Sequence, residues 1–155
     1  MKDVLLAAHR RGMKIWGTCA GAILLAKNVV GENSCLNLIN VTIERNSFGS
    51  QLDSFTGEAL IPVVSPDPVP LTFIRAPKIL AAESDVQVLL RMDGYIAAAE
   101  NESILVTVFH PELTGCLALH HYFAVKCGLK TTLKGNEYAD PHWSISSWTK
   151  HSGIA

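Results

Sequence analysis

Residues 14–26 constrain the fold more than any other part of the chain. They read KIWGTCAGAILLA: a short apolar run, one cysteine between two glycines, and a second apolar run. This pattern predicts a strand that turns sharply into a helix, where a Cβ at Gly17 or Gly21 would collide with its neighbours. Cys19 would then stand above the end of the strand, at the N-terminus of the helix. We expect the helix dipole to favour its thiolate, which makes Cys19 a candidate nucleophile.

A cysteine nucleophile needs a base, and residues 104–113, ILVTVFHPEL, offer one. The most strand-like run of the chain ends there at His110, and Glu112 follows two residues later. An extended backbone would point both side chains to the same side, where the carboxylate could hold the imidazole ring. Alone, Gly-x-Cys-x-Gly is often a buried cysteine and His-Pro-Glu is often a turn. Together, each at the end of a strand, they favour a catalytic triad of Cys19, His110 and Glu112.

Composition favours one domain with a protein partner. The chain has 155 residues, of which 48% are hydrophobic, enough for a core of its own. Only 17% are charged, against about a quarter in typical domains, so a partner chain could cover part of the surface. A net charge of −1 gives no basic excess for nucleic acid, and no apolar run is long enough to span a bilayer.

Cysteine usage and the first residues point to the cytoplasm. The four cysteines show no paired spacing, and the start of the chain lacks the order of a signal peptide. We therefore expect reduced thiols. His120 and His121 have no cysteine or carboxylate partner at zinc-like spacing, so the sequence predicts no metal site.

Other elements follow from periodicity and turn signals. The segment 60–70 holds four prolines and is predicted as an irregular surface loop. The remaining predictions are helices over residues 3–11, 20–28 and 117–127, and a hairpin of strands 86–90 and 95–99 with a primed turn at Asp93-Gly94.

Arg45 and Arg75 each follow a predicted strand. Either could be a solvated charge at a strand end. Two guanidinium groups at the edge that carries Cys19 and His110 instead suggest an anionic substrate, because arginine binds carboxylates with a planar fork of donors.

Four segments, read in order, carry a resemblance. They are GTCAG at 17–21, ERNSFGSQ at 44–51, FIRAP at 73–77 and FHPELT at 109–114. In these the chain resembles the glutaminase subunits of pyridoxal 5′-phosphate synthase, a family of class I glutamine amidotransferases. The first and last segments are shared across that class, whereas RNSFG and IRAP are more specific to the subunit. The resemblance extends from near Met1 to about Phe123.

The resemblance implies a fold and an activity. The fold would be α/β and flavodoxin-like, with a mostly parallel sheet and helices on both faces. Cys19 would attack the side-chain amide of L-glutamine, His110 would shuttle the proton and Glu112 would orient His110. The glutamine site would be lined by Arg45, Ile74 and Arg75. Ammonia would pass to the synthase subunit of a hetero-oligomer that makes the vitamin B6 coenzyme, and no metal or organic cofactor is implied for this subunit.

The chain also departs from the family pattern. Family members begin with a strand, a helix and a Pro-Gly-Gly-Glu-Ser segment that supplies an oxyanion donor, and this sequence has no match to them. Losing one such donor costs on the order of a hundredfold in rate. We therefore expect an amidotransferase domain over residues 1–130 that is incomplete at its N-terminus, and a loosely ordered tail over 131–155.

Two other functions stay open at this point. One is a shortened, catalytically impaired paralogue or isoform that only binds the synthase. The other is a cysteine hydrolase of the same fold that acts on a different γ-glutamyl compound.

Overall fold

The structure is a computed structural model that describes residues 1–45 and 54–131. Its elements are, in chain order, α1 (Lys2–Arg10), β1 (Ile15–Thr18), α2 (Ala20–Leu25), β2 (Ala26–Val29), β3 (Ile39–Glu44), β4 (Phe55–Ala59), β5 (Val69–Phe73), β6 (Lys78–Ala82), β7 (Gln87–Met92), β8 (Tyr95–Glu100), β9 (Ile104–Thr107), a 3-10 helix (Pro111–Leu113) and α3 (Ala118–Lys126). Most of the segment 44–51, and all of the predicted tail except Thr131, lie outside the described residues.

Seven of these strands form one mixed sheet in the order β1-β9-β8-β6-β3-β2, with β7 paired to β8. The pairs β1·β9 and β2·β3 are parallel. The other four pairs are antiparallel. The α/β class is confirmed, but the prediction of a mostly parallel sheet is wrong for the described strands. The chain reverses through short turns after β7 and β8, and short turns can join only antiparallel neighbours.

The interior of the sheet lies at β8 and β9, in which every residue is buried. Their sequences, YIAAAE and ILVT, are nearly continuous apolar runs, as expected for strands covered on both faces. The buried carboxylate of Glu100 accepts a hydrogen bond from Tyr122 at 2.5 Å and lies 3.0 Å from the Lys126 ammonium. Because both partners belong to α3, this cluster fastens the last helix to the sheet.

The predicted hairpin and the two terminal helices are confirmed. Asp93 and Gly94 have φ of +39° and +83°, as a primed turn between two strands requires. Helix α1 agrees with its predicted range to within one residue at each end, and α3 lies within its predicted range. None of the described helices is long and apolar enough to cross a membrane.

The second helix is shorter than predicted. It was expected over residues 20–28 but ends at Leu25, where Ala26 turns to an extended conformation and begins β2. The run AGAILLAKNV is apolar enough for either a helix or a strand, and periodicity alone cannot separate them. Pairing with β3 and burial of Ala26 and Val29 decide for a strand.

Candidate active site

Cys19 lies in a sharp turn between β1 and α2. Its N–H donates to the carbonyl of Thr107 at 2.8 Å, which extends the β1·β9 pairing into the turn. Its backbone has φ +47° and ψ −104°. Such a conformation costs a residue with a side chain about 1–3 kcal/mol and is held only by well-packed surroundings.

Those surroundings begin at Gly17. A Cβ there would lie 2.5 Å from Leu25 Cδ1 and 2.6–2.7 Å from backbone atoms of Gly21, so the predicted collision is confirmed. The same prediction for Gly21 is wrong, because a Cβ at that position would meet nothing within 4 Å. Position 17 therefore has no room for a side chain, and the backbone of Gly17 packs against the backbone of Gly21.

His110 and Glu112 are in contact, with Nδ1 and Oε1 2.7 Å apart. The contact was predicted, but the extended backbone proposed for it is not what forms it. His110 has φ −110° and ψ +85° and precedes the 3-10 helix Pro111–Leu113. This turn brings the carboxylate back to the ring. With Nδ1 donating to Glu112, Nε2 is the nitrogen that can accept a proton.

Beside the turn lies a cavity of about 230 Å³. It is lined by Cys19, Ala20, Ile23, Arg45, Ile74, Arg75 and Pro77. The fold thus brings four of the predicted site residues into one cavity. Its volume is below the roughly 300–1,000 Å³ of sites for drug-sized ligands, which suits a ligand of amino-acid size. The Cys19 thiol points to the carbonyl oxygen of Ile74, at 3.9 Å.

The sequence predicted that the helix dipole would favour the thiolate of Cys19, but the surroundings of Cys19 in the structure favour the thiol. Burial raises the pKa of the thiol, and the negative charge of Glu112 raises it further. A hydrogen bond from the N–H of Ala20 and the charge of Arg75 act in the opposite direction but are outweighed. Helix α2 has only six residues, so its dipole is short. Burial therefore works against the thiolate, and a base that takes the thiol proton is what makes Cys19 a nucleophile.

Arg45 is held by a residue that the sequence reasoning missed. Its Nε lies 2.9 Å from Oε1 of Glu32, and about half of each side chain is exposed. Glu32 follows β2 in a turn where Gly31 has φ +73°, and no motif or spacing marked it. Since Glu32 is bonded through Nε, the guanidinium retains donors on its terminal nitrogens for a ligand in the cavity.

In the described part of the chain, no group of three or more His, Cys, Asp and Glu side chains could hold a metal ion. The ring of His120 instead packs edge-on against Trp16, with centroids 5.2 Å apart.

Comparison with known proteins shows which family this chain resembles. Residues 1–129 match the SNO glutamine amidotransferase family. "Pyridoxal 5′-phosphate synthase subunit PdxT" of Syntrophus aciditrophicus is 55% identical over 97% of this chain and 67% of its own length. The protein of the same name from Caldanaerobacter subterraneus is 42% identical over 79% of this chain and 66% of its own length.

A solved structure, "Crystal structure of glutamine amidotransferase", superposes with a TM-score of 0.76 at 34% identity, over 83% of this chain and 68% of that one. The chain thus spans about two thirds of the length of the proteins it matches. On the evidence of the match over residues 1–129 and of these identities, the chain belongs to the SNO glutamine amidotransferase family.

Proposed function

We propose that this chain is a glutaminase subunit that hydrolyses L-glutamine to glutamate and ammonia. The ammonia is delivered to a synthase subunit that makes pyridoxal 5′-phosphate. The observation that carries the proposal is the cavity in which Cys19 lies with Arg45 and Arg75. His110 is already bonded to Glu112, a carboxylate whose charge acts on Cys19. The relatives named as pyridoxal 5′-phosphate synthase subunits support the same assignment.

In the first half of the reaction, Nε2 of His110 takes the proton of the Cys19 thiol. The sulfur then bonds to the side-chain amide carbon of glutamine, and the carbonyl oxygen becomes an oxyanion. The N–H of Ala20, the residue that follows the nucleophile, is a candidate donor to that oxyanion. His110 returns its proton to the amide nitrogen, the C–N bond breaks, and ammonia leaves a γ-glutamyl thioester on Cys19.

In the second half, His110 takes a proton from water, whose oxygen attacks the thioester carbon. The C–S bond breaks, glutamate leaves and the sulfur recovers its proton. Glu112 stays bonded to Nδ1 throughout and stabilises the imidazolium that forms in each half. The cycle needs no redox step and no cofactor.

Substrate recognition falls to the two arginines and Ile74. The α-carboxylate of glutamine is the anion that a guanidinium binds with paired hydrogen bonds. Arg75 and Arg45 both line the cavity, and the terminal nitrogens of Arg45 are the donors that its ion pair with Glu32 leaves for this purpose. Ile74 supplies apolar contact beside the sulfur.

The partner and the location complete the proposal. Residues 1–130 form the amidotransferase domain, and a synthase subunit is the partner that covers part of its weakly charged surface. Exposed apolar side chains such as Leu113, next to Glu112, are suited to such a contact. The four free cysteines in the described residues favour the cytoplasm, where thiols stay reduced.

The test is ammonia release from L-glutamine, measured with and without the synthase subunit, for the parent chain and for Cys19→Ala. We expect release that needs Cys19 and increases with the partner, while Cys19→Ala still binds the partner. Absence of release from folded parent chain bound to its synthase would contradict the proposal and leave a binding role only. Turnover of γ-glutamyl peptides in place of glutamine would contradict the substrate.

A further inference from the structure

The peptide that joins Phe109 to His110 is held at both of its polar groups. Its N–H, which belongs to His110, donates to the carbonyl of Thr72 at 2.8 Å. Its carbonyl, which belongs to Phe109, accepts from the hydroxyl of Thr107 at 3.2 Å. Two hydrogen bonds on opposite edges of one peptide fix the orientation of the plane from which the His110 side chain extends.

The hydroxyl of Thr107 is itself held in one orientation. Thr107 is fully buried, and its Oγ1 accepts a hydrogen bond from Nε1 of Trp16 at 3.3 Å. An indole N–H can only donate, so the single hydroxyl proton is left for the carbonyl of Phe109. The chain of donors therefore runs in one direction, from Trp16 through Thr107 to the peptide before His110.

The same residue also holds the nucleophile. The backbone carbonyl of Thr107 accepts from the N–H of Cys19 at 2.8 Å. Thr107 lies opposite Thr18 in the parallel β1·β9 pairing, directly beside the residue that precedes Cys19. One buried residue thus contacts the backbone of Cys19 with its carbonyl and the peptide of His110 with its side chain.

We propose that Thr107 is a positioning residue that aligns His110 with Cys19. A base must lie within hydrogen-bond reach of the proton it takes, and small displacements of a positioned group cost large factors in rate. In the proposed reaction His110 takes the thiol proton of Cys19, so turnover depends on that alignment. The inference rests on the proposed function, because its kinetic test uses glutamine as substrate. Its structural tests do not depend on glutamine.

The decisive comparison is Thr107→Val against Thr107→Ser. Valine has nearly the same shape but leaves the carbonyl of Phe109 and the N–H of Trp16 without their partner. Serine keeps the hydroxyl. We expect kcat for glutamine to fall about ten- to a hundredfold in the valine variant, with KM changed little. The serine variant should stay within about threefold of the parent, because the hydrogen bond survives.

Two further readouts separate alignment from general damage. The first is the low-field proton NMR signal of the Nδ1–H of His110, which reports its bond to Glu112. The second is the rate at which iodoacetamide alkylates Cys19, measured against pH with the exposed Cys35 and Cys127 as internal references. Thr107→Val should shift or broaden the first and alter the second, whereas Thr107→Ser should preserve both. Circular dichroism checks the fold, and Thr107→Ala replaces the valine variant should that variant fail to fold.

These experiments distinguish failure of the inference about Thr107 from failure of the proposed function. Unchanged kcat, NMR signal and alkylation profile in Thr107→Val would overturn the inference, and so would a serine variant as impaired as the valine variant. Suppose that the parent protein hydrolyses no glutamine, while the NMR signal and the alkylation profile still change in Thr107→Val and not in Thr107→Ser. In that case the proposed function fails, but the alignment by Thr107 stands.

Discussion

Cys19 and Arg45 line the same cavity, but the chain holds them by different means. The backbone of Cys19 is bonded to the buried strand β9 and sits over a glycine that tolerates no side chain. Arg45 is held by one ion pair with Glu32, and both of these side chains are about half exposed. Exposed ion pairs contribute about 0–1 kcal/mol, whereas a close-packed backbone turn cannot move without disturbing the core. The candidate nucleophile is therefore rigidly placed, and the candidate substrate contact is adjustable.

The largest expected effect lies beneath the turn. In Gly17→Ala the new methyl group would lie 2.5–2.7 Å from a side chain and from the backbone of Gly21. We expect unfolding free energy to fall by about 2–3 kcal/mol, because the backbone cannot yield as a flexible side chain could. Gly21→Ala is the matched control, since its methyl group would meet open space. Urea titration of both variants measures the difference, and equal losses at the two positions would contradict this account of the turn.

A second prediction concerns strain at the nucleophile itself. Cys19 has φ +47°, which glycine adopts without steric cost and alanine does not. Both Cys19→Gly and Cys19→Ala should lack glutaminase activity, but the glycine variant should be more stable than the alanine variant by about 1 kcal/mol. Thermal or urea unfolding of the pair tests this. A glycine variant that is the less stable of the two would mean that the turn stores no strain.

On the arginine side the effects should be smaller and sensitive to salt. Glu32→Gln removes the charge that holds Arg45 through Nε. We expect KM for glutamine to rise about two- to fivefold at low salt with kcat nearly unchanged, and the difference to shrink as salt screens the pair. Steady-state kinetics at two ionic strengths measure it. In an Arg45→Ala background, Glu32→Gln should add nothing. An additive effect there would show that Glu32 acts by another route.

The smallest effects are expected on the titration of Cys19. Burial raises the pKa of its thiol, so alkylation should reach half its maximal rate at a higher pH than for an ordinary cysteine. The negative charge of Glu112 raises the pKa of Cys19, so Glu112→Gln should lower the alkylation midpoint. The positive charge of Arg75 lowers that pKa, so Arg75→Gln should raise the midpoint. Opposite displacements in the two variants are the expected result. A midpoint below that of exposed Cys35 would contradict the burial argument.

The parts of the site that sequence could predict are local. The geometry of a tight turn depends on adjacent residues, so the glycines beside Cys19 predict the turn between β1 and α2. For the same reason Asp93-Gly94 predicts the hairpin of β7 and β8. The contact between His110 and Glu112 was predicted from an extended backbone but is formed by a 3-10 turn, because a spacing of two residues is compatible with either.

What sequence could not predict depends on pairing through space. Glu32 reaches Arg45 only because the end of β2 lies beside β3. Thr107 reaches the N–H groups of Cys19 and Trp16 only because β9 pairs with β1. The raised pKa of Cys19 comes mainly from burial, which sums contributions from every element packed around the sulfur. The end of α2 and the mixed sheet were also decided by tertiary pairing that overrides a weak local preference.

The most direct test of the account is covalent labelling with a diazoketone analogue of L-glutamine, followed by intact-mass measurement and peptide mapping. If Cys19 is the nucleophile of a glutamine site, one equivalent should attach at Cys19, excess L-glutamine should protect it, and His110→Ala should abolish it. The other cysteines, Cys35, Cys116 and Cys127, should stay unmodified and serve as internal controls. Labelling that spreads over the exposed cysteines at the same rate, or that L-glutamine does not slow, would contradict the assignment of Cys19 and of the cavity beside it.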